Sequence, residues 1–153
     1  MPKQSAGIVV FKRKGARLEV LLVHPGGPFW KNKESGAWSI PKGEPEESEE
    51  LLSAARRELR EEIGLEAEGD LEDLGTIQQK GGKTVHAWAI EVDPDTVVAQ
   101  VSNLFELEWP PRSGKKQAFP EIDRAEFFSL EEAETRINQA QRAFLDRLRT
   151  KVR

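Results

Sequence analysis

Between residues 43 and 65 the chain carries Gly43, Glu49 and then Arg57-Glu58-Leu59-Arg60-Glu61-Glu62-Ile63-Gly64-Leu65. A helix through this stretch projects Glu58, Glu61 and Glu62 to one side, about 100° from an apolar stripe of Leu52, Ala55, Leu59 and Ile63. Three carboxylates so close repel one another, and Arg57 alone is too little positive charge to neutralise them. A divalent cation would remove the repulsion, and oxygen-only ligands suit Mg²⁺ or Mn²⁺ better than zinc. Both ions also bind phosphate oxygens, so the arrangement suits water attack on a phosphoanhydride. The competing reading is a solvated helix face.

Composition narrows the other chemistries. The 153 residues include no Cys, which excludes a disulfide framework, a thiolate zinc site and a Cys nucleophile. A net charge of −4 argues against a sequence-independent grip on nucleic acid. No run approaches the roughly 18 apolar residues of a membrane span. The short apolar run from Ala6 to Phe11 lacks a signal-peptide cleavage pattern. The expectation is one soluble, cytoplasmic domain over residues 1–153, with no membrane partner and an oligomeric state left open.

The elements that must position the carboxylates follow from hydrophobic periodicity. Ala6–Phe11 and Leu18–Val23 read as a strand pair around a Lys14-Gly15-Ala16 turn. His24-Pro25-Gly26-Gly27-Pro28-Phe29-Trp30 breaks both helix and central strand, so it is a loop carrying two large aromatics. Trp38–Ile40 reads as a short strand closed by Pro41-Lys42-Gly43. The helix is expected from about Glu47 to Ile63, with Ser48 as N-cap and Gly64 as left-handed C-terminal glycine. Leu71–Gln79 and Thr84–Val92 read as strands around Gly81-Gly82. Leu104–Trp109 adds another, before a loop from Pro110 to Lys116. Ala125–Phe128 is the last strand, and Ser129 caps a helix running to about Leu148. The order β-β-α-β-β-β-α predicts an α+β domain with a mixed sheet between helices.

The stretch Gly43 to Leu65 resembles the signature box of the Nudix hydrolase superfamily, G-x5-E-x7-R-E-U-x-E-E-x-G-U with U a bulky aliphatic. Every fixed position is met, by Gly43, Glu49, Arg57, Glu58, Leu59, Glu61, Glu62, Gly64 and Leu65. The resemblance implies an α/β/α sandwich and a hydrolase that uses Mg²⁺ or Mn²⁺. It implies metal binding by the Gly43 carbonyl, Glu58, Glu61 and Glu62, with Arg57 and Glu49 paired as scaffold. The general base varies among members, and Glu58 is the first choice here. A further carboxylate often precedes the last strand. Glu121, five residues before Glu126-Phe127, reproduces the spacing seen in nucleotide-sanitising members, with Asp123 as substitute.

Trp38-Ser39-Ile40-Pro41-Lys42-Gly43 is similar to the W-x-x-P-K-G segment of dinucleoside polyphosphate hydrolases, seen also in some diphosphoinositol polyphosphate hydrolases. Lys42 beside the metal-binding glycine is placed to pair with a polyphosphate oxygen. Trp38 is either a ligand platform or core. Phe29 and Trp30 either sandwich a nucleobase or seal the core. Arg112, Lys115 and Lys116 form a basic loop that either meets a long phosphate chain or is a solvated turn. Through His24-Pro25-Gly26-Gly27-Pro28-Phe29-Trp30, Trp109-Pro110-Pro111-Arg112-Ser113-Gly114 and Phe119-Pro120-Glu121, the whole chain is also similar to bacterial Nudix proteins described as predicted nucleoside triphosphate pyrophosphohydrolases. The expected substrate is a nucleotide polyphosphate, foremost a dinucleoside polyphosphate. The alternatives are a nucleoside triphosphate, an inositol pyrophosphate, or a nucleotide-binding module without catalysis.

Overall fold

In the computed structural model, which describes residues 3–98 and 103–152, strand alternation decides which side each helix takes. The outermost residues of the domain expected over 1–153 fall outside that description. β1 (Gln4–Lys14) is central, antiparallel to β2 (Arg17–Pro25) and to the short β3 (Lys42–Gly43). It runs parallel to β5 (Lys83–Glu91). β4 (Glu72–Gln79) joins the edge at β5, and β8 (Ile122–Ser129) pairs with β2, so the main path reads β4-β5-β1-β2-β8. β6 (Leu104–Glu108) and β7 (Lys116–Pro120) form a separate antiparallel hairpin.

Successive side chains of a strand point to opposite faces. Ile8 and Val10 therefore join Leu21 and Val23 on one face, under Ala54, Ala55, Leu59 and Ile63 of α1 (Leu51–Ile63). Val9 and Phe11 join Val20 and Leu22 on the other. There they meet α2 (Leu130–Arg136) and α3 (Arg142–Lys151) through Leu130, Ala133, Phe144, Leu145 and Leu148. This is the mixed sheet between helices that the periodicity predicts. No helix among the described residues is long and apolar enough to cross a membrane.

Four local expectations change. α1 begins at Leu51 rather than near Glu47, and Ser48 has a left-handed φ of 65° instead of capping. The cause is tertiary: Arg57 captures the Glu49 side chain, which also accepts from the Glu46 N–H. Trp38–Ile40 makes isolated bridges, Ser39 to Val23 and Trp38 to Ile137. The regular pairing falls one step later, at Lys42–Gly43. The long C-terminal helix is broken because Trp38 inserts at Ile137. The Trp38 N–H donates to the Arg136 carbonyl and the Asn138 N–H to the Trp38 carbonyl. Residues 116–120, partly read as loop, pair with β6. Ser129 and Gly64 behave as expected, Ser129 capping α2 and Gly64 closing α1 with φ 67°.

Close approach makes Gly26 obligatory, since a Cβ there would lie 1.9 Å from the Pro120 carbonyl oxygen. The Gly26 N–H donates to the Glu121 carbonyl at 2.9 Å, so this contact joins the loop after β2 to the turn before β8. Gly26→Ala should lower stability by about 1–3 kcal/mol, the usual cost of overpacking, read as a shifted urea midpoint. An unchanged midpoint would mean that the loop is not held against Pro120.

Candidate active site

The site is organised by Arg57. Its Nε and one Nη bind both oxygens of Glu49 at 2.9 Å, a bidentate pair. Its other Nη donates to Glu58 at 3.0 Å and Glu61 at 3.2 Å, and the Glu44 carbonyl accepts a further bond at 3.1 Å. These five bonds match the five N–H donors of a guanidinium. The pairing holds the Glu49 carboxyl down at about 2. It thus ties the loop 44–49 to α1, the scaffold role expected for Arg57 and Glu49.

The three helix glutamates do not share one environment. Glu61 is exposed on the outer rim with Arg57. Glu58 and Glu62, four residues apart, are half-buried. A Cβ on Gly43 would meet the Glu58 carboxyl carbon at 2.1 Å, so only glycine lets β3 lie against that carboxylate. Glu62 lines a cavity of about 150 Å³ together with Lys42 and Glu121. Desolvation, then the Glu58 charge, pushes its carboxyl up to about 9. Desolvation likewise raises Glu58. Glu121 contributes repulsion to both, which places it beside the pair although it is distant in sequence.

Among the described residues no three Asp, Glu or His side chains already converge on a single point. The donor set nevertheless fits a hard cation. Glu62 Oε2 is buried without a hydrogen-bond partner, in a region where acidic groups crowd one another. A buried, unsatisfied carboxylate oxygen is costly, and a divalent ion with oxygen ligands answers both the desolvation and the repulsion.

Lys42 shares the cavity, and burial followed by the Lys83 charge lowers its pKa. Lys83, overlooked in the sequence, pairs with Glu44 at 3.6 Å. Its signal was faint because it opens an ordinary-looking strand.

The remaining candidates separate. Trp38 is fully buried between His24 and Phe128, with Arg124 over its ring, so it is core and not a ligand platform. Phe29 and Trp30 do not seal the core, being 59% and 41% exposed. Phe29 packs edge-on against Trp109, and Lys33 lies over Trp30. Arg112, Lys115 and Lys116 sit at the turn end of the β6–β7 hairpin, whose other end leads into Glu121. Asp123 binds the buried His24 at 2.8 Å, and the other ring nitrogen of His24 lies 2.6 Å from the Lys33 carbonyl. Asp123 thus anchors the loop after β2.

Two outcomes follow for the protein in EDTA. Glu62 holds its proton in the folded chain up to about pH 9 and in the unfolded chain only to about pH 4.5. The folded state binds more protons between those values, so stability is full below 4.5 and lost as pH rises through 9. Glu62→Gln removes this dependence, so its Tm advantage over wild type should grow from pH 5 to pH 9. A Tm deficit at pH 9 would make Glu62 a structural partner. Glu49 has the opposite sign, its contribution being present above 4.5 and lost as pH falls toward 2. Arg57→Ala should therefore cost most in Tm near neutrality and progressively less in acid.

The chain is similar to known proteins along its length. It is 29% identical to the asymmetrical bis(5'-nucleosyl)-tetraphosphatase of Mus musculus over 114 residues, 67% of this chain and 74% of the relative. It is 37% identical to the RNA pyrophosphohydrolase of Legionella pneumophila over 75 residues, 46% of this chain and 42% of that protein. The structure of a C. elegans Ap4A hydrolase binary complex superposes with a TM-score of 0.68 at 20% identity, covering 95% of this chain and 96% of that one. A family model for the NUDIX domain matches residues 1–148, and with the Arg57-centred carboxylate cleft in place the chain belongs to the Nudix hydrolase family.

Proposed function

We propose that this Nudix hydrolase cleaves a phosphoanhydride bond of a dinucleoside polyphosphate by water attack, with Mg²⁺ or Mn²⁺ as the metal. The observation that carries the reading is the cavity that Glu62, Glu121 and Lys42 line together, with Glu58 close enough for its charge to act on Glu62. The Glu58, Glu62 and Glu121 carboxylates and the Gly43 carbonyl are the groups that would hold the cation, with Glu61 at the rim. Bound there, a divalent ion supplies positive charge to the phosphate oxygens that gain negative charge in the transition state.

The chain's own groups account for the rest. Glu58 is desolvated, so its carboxylate is a stronger base than an exposed one and takes the proton of the attacking water. Arg57 holds that carboxylate in place. Attack forms a new phosphorus–oxygen bond as the bridging oxygen departs with the leaving nucleotide. Lys42 binds a non-bridging phosphate oxygen.

Two features support a long substrate. The tetraphosphatase relative aligns over two thirds of this chain. Cations also lie at two separated places. Lys42 and Lys83 flank the carboxylates, whereas Lys116 lies four residue steps from Pro120 along β7. At about 3.3 Å per residue, those steps span roughly 13 Å. The second reading, pyrophosphohydrolysis of a triphosphate, is favoured by the local likeness to RNA pyrophosphohydrolase.

A panel of diadenosine tetraphosphate, ATP, 5'-triphosphate RNA and inositol pyrophosphates, assayed with Mg²⁺ and Mn²⁺, separates these readings by product. ATP should appear from diadenosine tetraphosphate, with a higher kcat/KM than for ATP as substrate. Preference for a simple triphosphate would shift the assignment to the second reading. Glu58→Gln should lose about 10²-fold or more in kcat while keeping its far-UV spectrum. Near-normal turnover would remove Glu58 from the chemistry. Lys42→Ala should cost diadenosine tetraphosphate more than ATP, and equal losses would place Lys42 at a phosphate common to both.

A further inference from the structure

A second cavity, of about 370 Å³, opens beyond Pro120 from the carboxylate cleft. Its walls include Trp109 and Phe119 from the hairpin and Gly27 and Pro28 from the loop after β2. Its polar lining comes from Lys31, Gln117 and Asp123. Neither the signature box nor the aromatic pair Phe29 and Trp30 contributes to this lining.

The aromatic walls are fixed from outside. Phe29 packs edge-on against Trp109, ring centres 5.4 Å apart at 81°. Phe105 lies 6.0 Å from Phe119 and presses on Gly27, where a Cβ would stand 3.0 Å from its ring. The Trp109 backbone is held on both sides. Its N–H donates to the Lys115 carbonyl, and its carbonyl accepts from the Gln117 side chain, each at 2.9 Å. Half-buried aromatic faces held this way lose little freedom when a planar ligand stacks on them. The cavity's size falls within the ~300–1,000 Å³ of small-molecule sites, and an apolar wall with a few polar groups is their usual make-up.

Continuity identifies the occupant. Pro120 belongs to the second cavity and Glu121, its neighbour, to the first. The Gly26 N–H bond to Glu121 closes the wall between them, with Pro25 on one side and Gly27 on the other. A ligand with its phosphates at the carboxylates would have its nucleoside end at this wall. Two larger depressions elsewhere, at Lys14–Leu18 and at Asn138–Arg142, carry no aromatic side chain in their linings.

We infer that the Trp109–Phe119 cavity is the nucleobase subsite, in which the base of a nucleotide substrate stacks on aromatic walls and is read by Gln117, Lys31 and Asp123. The assignment rests on the nucleotide-polyphosphate reading above. Trp and Phe faces accept any base, whereas the carboxamide and the two charged groups discriminate its edge.

Two measurements test it separately from that reading. In the first, adenosine and guanosine are titrated into ¹⁵N-labelled wild-type protein in EDTA. The Trp109 indole signal should shift on saturation, with smaller changes at Trp30; shifts centred on Trp30 instead would overturn the assignment. In the second, kcat and KM are compared for ATP and for tripolyphosphate, which has the same phosphate chain without a base. Trp109→Ala and Phe119→Ala should raise KM for ATP about tenfold or more beyond any change for tripolyphosphate, with kcat much less affected. Lys31→Ala, at an exposed loop position of the same lining, should alter the ratio of ATP to GTP in kcat/KM. Equal effects on ATP and tripolyphosphate, with an unaltered ATP to GTP ratio, would overturn the subsite. Nucleoside binding at Trp109 in a protein that hydrolyses no polyphosphate would uphold the subsite and sink the proposed activity.

Discussion

One guanidinium, Arg57, organises the approach to the site. Its bidentate grip on Glu49 forces the residues before α1 into a loop, and its remaining donors hold Glu58, Glu61 and the Glu44 carbonyl. A flexible lysine could neither span these partners nor match their planar geometry. The helix accordingly starts late, and β3 is brought against Glu58 with no room for a side chain at Gly43. Arg57 does not reach Glu62. That carboxyl is left desolvated among like charges.

The sheet turns this local arrangement into a cleft. β1 pairs with β2, β3 and β5, so its end near Ala6 and Gly7 gathers Lys42, Gly43 and the start of β5 with Lys83. Gly7 is required because a Cβ would meet the Pro41 carbonyl at 2.7 Å. Behind the 38–40 segment the buried Gln141 accepts from the Ile40 N–H and donates to Ser39 and Gln79. A side chain of the C-terminal half thereby fixes the backbone two residues before Lys42. Rigid elements carry the carboxylates, while loops and the hairpin shape the access.

Charge is distributed to match. The acidic groups converge at one end of α1, with Lys42 and Lys83 beside them and the cations of the hairpin at its far turn. The loop after β2 is held between these regions by Gly26 on Glu121 and by His24 on Asp123. The carboxylates of the cleft and the aromatic hairpin are therefore joined through the backbone of residues 120–123.

The sequence by itself determined the signature box and the helix that carries it, because box spacing and helical period depend only on residues close in the chain. Gly43, Glu49, Arg57, Glu58 and Glu62 were legible for that reason, as were the strands that alternate cleanly and the cap at Ser129. Tertiary structure alone decided what depends on distant partners. Trp38 went into the core because His24 and Phe128 enclose it, and the C-terminal helix broke where Trp38 inserts at Ile137. Glu61 went to the rim and Glu62 to the cleft, a division that helical spacing cannot make until the sheet fixes the rotation of α1. The stretches around Gly27, Trp109 and Phe119 stood out in the sequence, but that they enclose one cavity did not, since they lie on a loop and a hairpin some eighty residues apart, joined by backbone contacts that no periodicity records.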